Sequence, residues 1–262
     1  MKKLTLYLPV ILSLFILFSC GDQGKKESEK NVKSSTSPGY KMESVFVAED
    51  GCLVDSLESC THVEVEYPVF TDAKMSPANR FINHRLADIM GYGDAESDSL
   101  VDLKKAAQHI IDDYADFKKD FPDSPQIWNL SSMTHVIYEN KELVSLKMLT
   151  ESYMGGAHGS LMISYLNFDR ETGKSVNLFS EIADTVRFKA LAEEKFRKKR
   201  HLTPGADLEK AGFWFPDNKF SLPANIGMDA HGYLLHYNPY EVAPYSMGPT
   251  DIVIGFNELE TK

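Results

Sequence analysis

The chain has 262 residues, of which 43% are hydrophobic, enough to bury the core of one large domain or two small ones. Its 38 acidic residues outnumber 28 lysines and arginines, giving a formal charge of −10. That balance argues against a nucleic-acid partner and against docking on an anionic membrane, since both need cationic surface.

The first element is a leader. "MKKLTLYLPVILSLFILFSC" places Lys2 and Lys3 before an apolar run from Leu4 to Phe18, followed by Ser19 and Cys20. The charged start, short apolar centre and small residue at the end have the layout of a secretory signal over residues 1–19. The run is short for a membrane span, which needs roughly 20 residues to cross about 30 Å of hydrocarbon. Leucine three positions before cysteine resembles a bacterial lipobox, in the loose form of the Bacteroidota, with Phe18 departing from the usual small residue. That resemblance implies lipidation of Cys20, membrane attachment through the lipid, and a cell-envelope location. The outer membrane of a Gram-negative bacterium is the expected site, with the domain periplasmic or surface-exposed. Residues 20–42 are polar and nearly free of aliphatic side chains, the composition of a flexible tether. Removing residues 1–19 takes away two lysines and no acids, moving the formal charge from −10 to −12.

Residues 43–158 are expected to form an N-terminal α+β domain and residues 159–262 a C-terminal one, with one compact unit holding both as the alternative. Val45, Val47, Val63, Val65, Tyr67 and Val69 alternate with polar residues, predicting two strands with one face on a core. Cys52 and Cys60 lie in the connection. In an oxidising compartment the pair most simply forms a disulfide closing a local loop, and no further ligands are spaced for a metal site.

Ser76-Pro77 starts a helix that ends at Gly91, with Phe81, Ile82, Leu86, Ile89 and Met90 on its apolar face. A second begins near Asp98, carries Leu103, Ala107, Ile110, Ile111, Tyr114 and Phe121 at helical spacing, and stops at Pro122. Two strands around the turn at Glu139-Asn140-Lys141 follow, then a reversal at "GGAHG", a strand "SLMISYLNFD", and a Gly173 turn before another short strand. This reads as an antiparallel meander. A helix from Asp184 to Arg200 carries Phe188, Leu191, Ala192 and Phe196, and its basic end suits the negative pole of the helix dipole. Thr203-Pro204 opens a short helix ending near Gly212. The last stretch reads as strand, turn at Asp229 to Gly232, strand, irregular loop and strand. The expected fold class is α+β, with antiparallel sheets and helices packed on one side.

Catalytic and cofactor signatures are absent: the sequence has no His-Glu-x-x-His, Gly-x-Ser-x-Gly, Walker loop or dinucleotide fingerprint. No catalytic residue, metal site or cofactor is therefore assigned. Two segments stand out as binding candidates. In "YMGGAHGS", Gly155 and Gly156 permit unusual backbone angles, and His158 between glycines is accessible beside Tyr153. The segment is first a turn, and it also suits the rim of a binding surface. In "HYNPYEVAPYSMG", Tyr240, Glu241 and Tyr245 offer tyrosine area and a charge, although the same segment suits a buried irregular strand.

Taken in order, "Y-x-G-G-A-H-G", the Thr-Gly-Lys turn, the Leu-Phe step into a helix and "YNPYEVAPYSMG" resemble the extracellular domain of RsiV-type anti-sigma factors. That domain is also found beside the catalytic domain of the peptidoglycan deacetylase PdaC. "VEVEYPVF", the two helices and the "W-x-L" strand resemble the companion domain of unknown function usually found upstream. The resemblance covers about residues 60–258. It implies an envelope module, and RsiV-type proteins sense lysozyme by binding it. Neither a cytoplasmic sigma-binding portion nor a deacetylase catalytic domain is recognised, so those activities are not expected. A lipid-anchored binding protein for a lysozyme-like protein or peptidoglycan is the leading expectation. An envelope hydrolase using His158 as general base with Glu241, or a purely structural lipoprotein, are the alternatives.

Overall fold

In the computed structural model, residues 39–52, 57, 59–93 and 99–260 are described. The residues expected to form the signal peptide, Cys20 and most of the expected tether lie outside them. The fold is α+β, with a five-stranded and a three-stranded sheet. Strands β1 (Tyr40–Ala48), β2 (His62–Phe70), β3 (Asn129–Glu139), β4 (Leu143–Tyr153) and β5 (Ser160–Asp169) make the first sheet in sequence order. Tyr40 to Met42, expected in the tether, already pair with β2 as the start of β1. The Cys52–Cys60 disulfide ties the β1–β2 connection.

Helices α1 (Ser76–Ile89) and α2 (Leu103–Asp120) cross from β2 to β3. That crossover makes β2–β3 a parallel pair in a sheet expected to be antiparallel, while the expected meander, β3–β4–β5, is antiparallel throughout. Asp102 caps α2, its carboxylate accepting from the N–H groups of Lys104 and Lys105. The helix thus begins at Leu103, five residues beyond Asp98, near which the spacing predicted its start. Ile82, Leu86, Ala106, Ala107 and Ile110 bury one helical stripe each against Val63, Val65, Leu130, Leu146 and Phe168. Past Glu66 the burial in β2 passes to Pro68 and Phe70 in place of Tyr67 and Val69. At the end of the strand the side-chain amide of Asn79 on α1 bonds both the N–H (2.8 Å) and the C=O (2.9 Å) of Phe70. Phe81 and Phe121, placed on apolar faces by spacing, are 44% and 59% exposed.

β5 pairs with β4 from Ser160 to Asp169, so the division expected at 158 and 159 falls inside a hairpin of the first sheet. After β5 the expected short strand reduces to one bridge, Phe168 with Ser175, followed by a 3-10 turn over Leu178–Glu181. Helix α3 (Thr185–Lys199) starts at the Asp184 cap. The helix expected from Thr203 to Gly212 is a series of turns, because Gly205 at φ +76° takes the chain out of helical geometry directly after Pro204. Strands β6 (Ile226–Met228), β7 (Gly232–Tyr237) and β8 (Thr250–Gly255) form the second, antiparallel sheet, and α4 (Phe256–Leu259) follows. Helix α3 packs on β8. The second core is aromatic: Phe196 of α3 lies 5.0–5.5 Å, ring to ring, from Phe213, Phe215, Phe220 and Tyr237.

Buried polar groups join the sheets. The Ser145 hydroxyl donates to Asn167 Oδ1, the Asn167 amide donates to the Ile226 carbonyl at 2.8 Å, and the Met228 N–H donates to Ser145 Oγ. β6 comes so close to β5 that a Cβ at Gly227 would stand 2.5 Å from the Tyr165 ring. The free edge of β5 meets no further strand. Instead Asn238 accepts from the Ile163 N–H (2.8 Å) and donates to its C=O (3.0 Å), while Asn225 accepts from the Tyr165 N–H. Two side-chain amides thus stand in for a neighbouring strand and cover an edge that would otherwise template aggregation.

Candidate functional site

The β4–β5 connection carries the "GGAHG" reversal. Gly155 and Gly156 have φ of +89° and +98°, a region side chains disfavour, and a Cβ at Gly155 would lie 2.9 Å from Gln126 Oε1. The reversal is therefore built on glycine. It projects His158, exposed, toward the loop between β7 and β8.

That loop begins with the turn Asn238 to Glu241. Tyr240 sits at φ +67°, and the Glu241 carboxylate accepts from the Asn238 N–H at 2.8 Å, closing the turn. Partial loss of solvent raises the Glu241 carboxyl above its ordinary value, against the lowering effect of that N–H. A 3-10 turn at Tyr245–Met247 completes the loop.

The two segments meet. The His158 ring stacks on Tyr245 with centroids 3.9 Å apart and planes 15° from parallel, and Tyr240 lies 5.7 Å from Tyr245. Nδ1 of His158 faces the Gly159 carbonyl at 2.8 Å, which assigns the proton to Nδ1 in the neutral ring; Nε2 then accepts from the Tyr240 hydroxyl at 3.3 Å. Tyr153 donates its hydroxyl to the Gly156 carbonyl and, with Tyr245, borders a cleft of about 360 Å³ also lined by Glu151, Ser152 and Ser160. Tyr240 and Tyr245 remain 58% and 38% exposed, so this loop is not the buried irregular strand its sequence also allowed.

Of the expected residues, Tyr153, Gly155, Gly156, His158, Tyr240 and Tyr245 come together. Glu241 does not join them: its carboxylate is held by Asn238. No hydrogen bond joins Glu241 to His158, so the base-and-partner arrangement of the hydrolase reading is not made.

Three further groups belong to the neighbourhood. Trp214 is 48% exposed and its indole N–H donates to the Glu241 carbonyl at 3.1 Å. Arg200, expected in a solvated basic helix end, donates to the carbonyls of Met247 (2.7 Å), Gly248 (2.8 Å) and Pro249 (3.0 Å), and to Thr250 Oγ1. It clamps the loop that presents Tyr245. His236 is buried and bonds Asp251 Oδ1 through Nδ1 at 2.7 Å, and this bond holds the Asp251 carboxyl below its usual range. Nothing local marks these partners, since each pair joins residues well apart in the chain. Among the described residues no cluster of histidine, cysteine or carboxylate side chains could hold a metal ion.

A family model described as Deacetylase PdaC matches residues 55–161, and one described as Protein of unknown function (DUF3298) matches residues 177–257. Among solved structures, a DUF3298-family protein from Bacteroides fragilis is 23% identical, with 84% of this chain and 92% of that one covered and a TM-score of 0.60. A DUF3298-family protein from Pseudomonas aeruginosa is 20% identical over 84% of this chain and 91% of its own, with a TM-score of 0.56. At these identities the likeness is one of fold. No curated protein matches. The chain thus carries a PdaC-type domain followed by a DUF3298 domain, the pair found in RsiV-type ectodomains.

Proposed function

We propose that the chain is a non-catalytic, lipid-anchored binding protein of the cell envelope, whose His158–Tyr240–Tyr245 cluster contacts a lysozyme-like protein or cell-wall glycan. The observation that supports this reading is the convergence of two segments about 80 residues apart on one exposed, stacked aromatic surface. Exposed tyrosines held in place by hydrogen bonds offer large contact area at low entropic cost, the usual basis of a binding hot spot. The Arg200 clamp and the glycine reversal fix the two sides before any ligand arrives. The acidic surface suits a cationic protein somewhat better than an anionic wall polymer. Envelope attachment through Cys20 belongs to the same proposal and rests on the leader sequence.

Calorimetric titration of a lysozyme and, separately, of soluble peptidoglycan fragments into the purified chain tests the reading. Saturable binding of either is the expected result. Absence of both, or fragment turnover abolished by His158→Ala, would sink it.

A further inference from the structure

Two outer strands of the molecule end their sheets differently. At β5, asparagine side chains take the place of a further strand. At β8 the edge is open. The Phe256 N–H donates to the His231 carbonyl in register with the β7–β8 ladder, so Thr250, Ile252 and Ile254 turn their peptide groups to β7. Those of Asp251 and Val253 point off the sheet, and no hydrogen bond reaches them among the described residues. The Gly255 N–H, on the same side, is met by the Glu258 carboxylate at 2.8 Å.

Beside this edge runs a groove of about 620 Å³, lined by Lys195, Lys198, Lys199 and His201 on one side and by residues 251–253 on the other. None of Tyr153, His158, Tyr240 and Tyr245 lines it. The Asp251 carboxylate turns to His236, and only its peptide groups belong to the edge. Lys195 pairs with Glu258 at 2.8 Å, whereas Lys198 and Lys199 form no ion pair among the described residues. His201 closes α3 at φ +55°, a region that favours glycine, so its imidazole is held at the groove against backbone strain.

An open edge accepts any extended chain unless something selects among them. Here the selection comes from α3. A strand that is apolar toward α3 would desolvate Lys198 and Lys199, a cationic one would be repelled, and one bringing carboxylates would pair with them. On its other face the added strand would lie beside Val253, which is 47% exposed and suits an apolar side chain. A second copy of β8 would bring its own lysines to the edge. Residues 21–38 carry four lysines against three carboxylates, so they do not supply the charge either.

We propose that the β8 edge docks an extended acidic segment of a partner protein as an added strand, with carboxylates toward α3 and apolar side chains beside Val253. Main-chain bonds to Asp251 and Val253 give the affinity, and Lys198 and Lys199 give the selectivity. The proposal goes beyond the loop cluster and does not rest on it.

The test uses the purified chain and a labelled synthetic peptide of alternating glutamate and valine, read by fluorescence anisotropy. Saturable, salt-weakened binding is expected, and a lysine-for-glutamate twin should not bind. Lys198→Glu/Lys199→Glu should weaken binding about tenfold or more, whereas Lys104→Glu/Lys141→Glu, of equal net charge, should change it by less than about threefold. Val253→Pro removes an N–H that β7 does not use, so it should weaken binding with the fold intact. Ser44→Pro does the same at the outer edge of β1 and should not. Two further peptides, one methylated on its valine nitrogens and one on its glutamate nitrogens, block antiparallel and parallel addition in turn. One of them should fail to bind, and this pair carries the test if Val253→Pro does not fold. No binding to the unaltered chain, full binding of both methylated peptides, or equal weakening by the two charge variants would overturn the proposal. Tyr240→Ala/Tyr245→Ala should leave peptide binding unchanged, which separates this edge from the loop cluster.

Discussion

The two cores of the molecule are built from different materials. Beneath the five-stranded sheet, mainly aliphatic, alanine and methionine side chains, with Phe70 and Phe168 among them, come largely from regular strands and helices. Beside the three-stranded sheet, Phe213, Phe215 and Phe220 come from a turn-rich connection and gather around Phe196 and Tyr237. The first core is a periodic pattern folded over. The second is held by a few large rings on irregular backbone, so each ring there matters more to the path of its loop.

Phe196→Ala should have the largest effect on stability, removing a fully buried ring that touches four others, at a cost of about 3–5 kcal/mol. Urea unfolding measures it. In the first core Ile82→Val, also fully buried, should cost only about 0.5–1.5 kcal/mol. Equal losses at the two sites would break the contrast, although the volumes removed differ; Ile82→Ala and Phe196→Leu sharpen it.

Asn238→Ala leaves the Ile163 N–H without its acceptor, while the Ile163 carbonyl keeps the Asn225 amide. A loss of about 1–3 kcal/mol is expected, with faster hydrogen exchange at the Ile163 N–H and a greater tendency to aggregate. An unchanged exchange rate would show that the edge of β5 is covered some other way.

A smaller effect depends on pH. The His236 bond lowers the folded-state value of the Asp251 carboxyl, so its contribution to stability is present above about pH 4 and lost as pH falls through the lowered value. Asp251→Asn should flatten that acid limb of the stability curve. Because the Asp251 side chain is 62% exposed, solvent screening keeps the effect small.

The same contrast explains what the sequence made legible. The strands of the first sheet and its helices follow from period two, period 3.6, and the Ser76-Pro77 start. The parallel β2–β3 pair did not, because a crossover is a property of three dimensions. Asn225 and Asn238 each replace a peptide partner for backbone distant in the chain, and an asparagine in a loop looks the same whether or not it does so. At the candidate site, "GGAHG" and "NPYEVAPYSMG" were visible as unusual composition, and His158, Tyr240 and Tyr245 do meet. That the Glu241 carboxylate closes its own turn was not legible, because in sequence it resembles a free one. Arg200 was hidden in a basic run, where only the carbonyls facing it reveal its work.

The proposed function rests on the stacked loop surface contacting an envelope ligand. Calorimetry of the Tyr240→Ala/Tyr245→Ala double variant beside the unaltered chain, with a lysozyme and with peptidoglycan fragments, tests it most directly. Affinity for the bound ligand should fall about tenfold or more, with the urea unfolding midpoint nearly unchanged because both rings are exposed. Undiminished affinity in the double variant would contradict it.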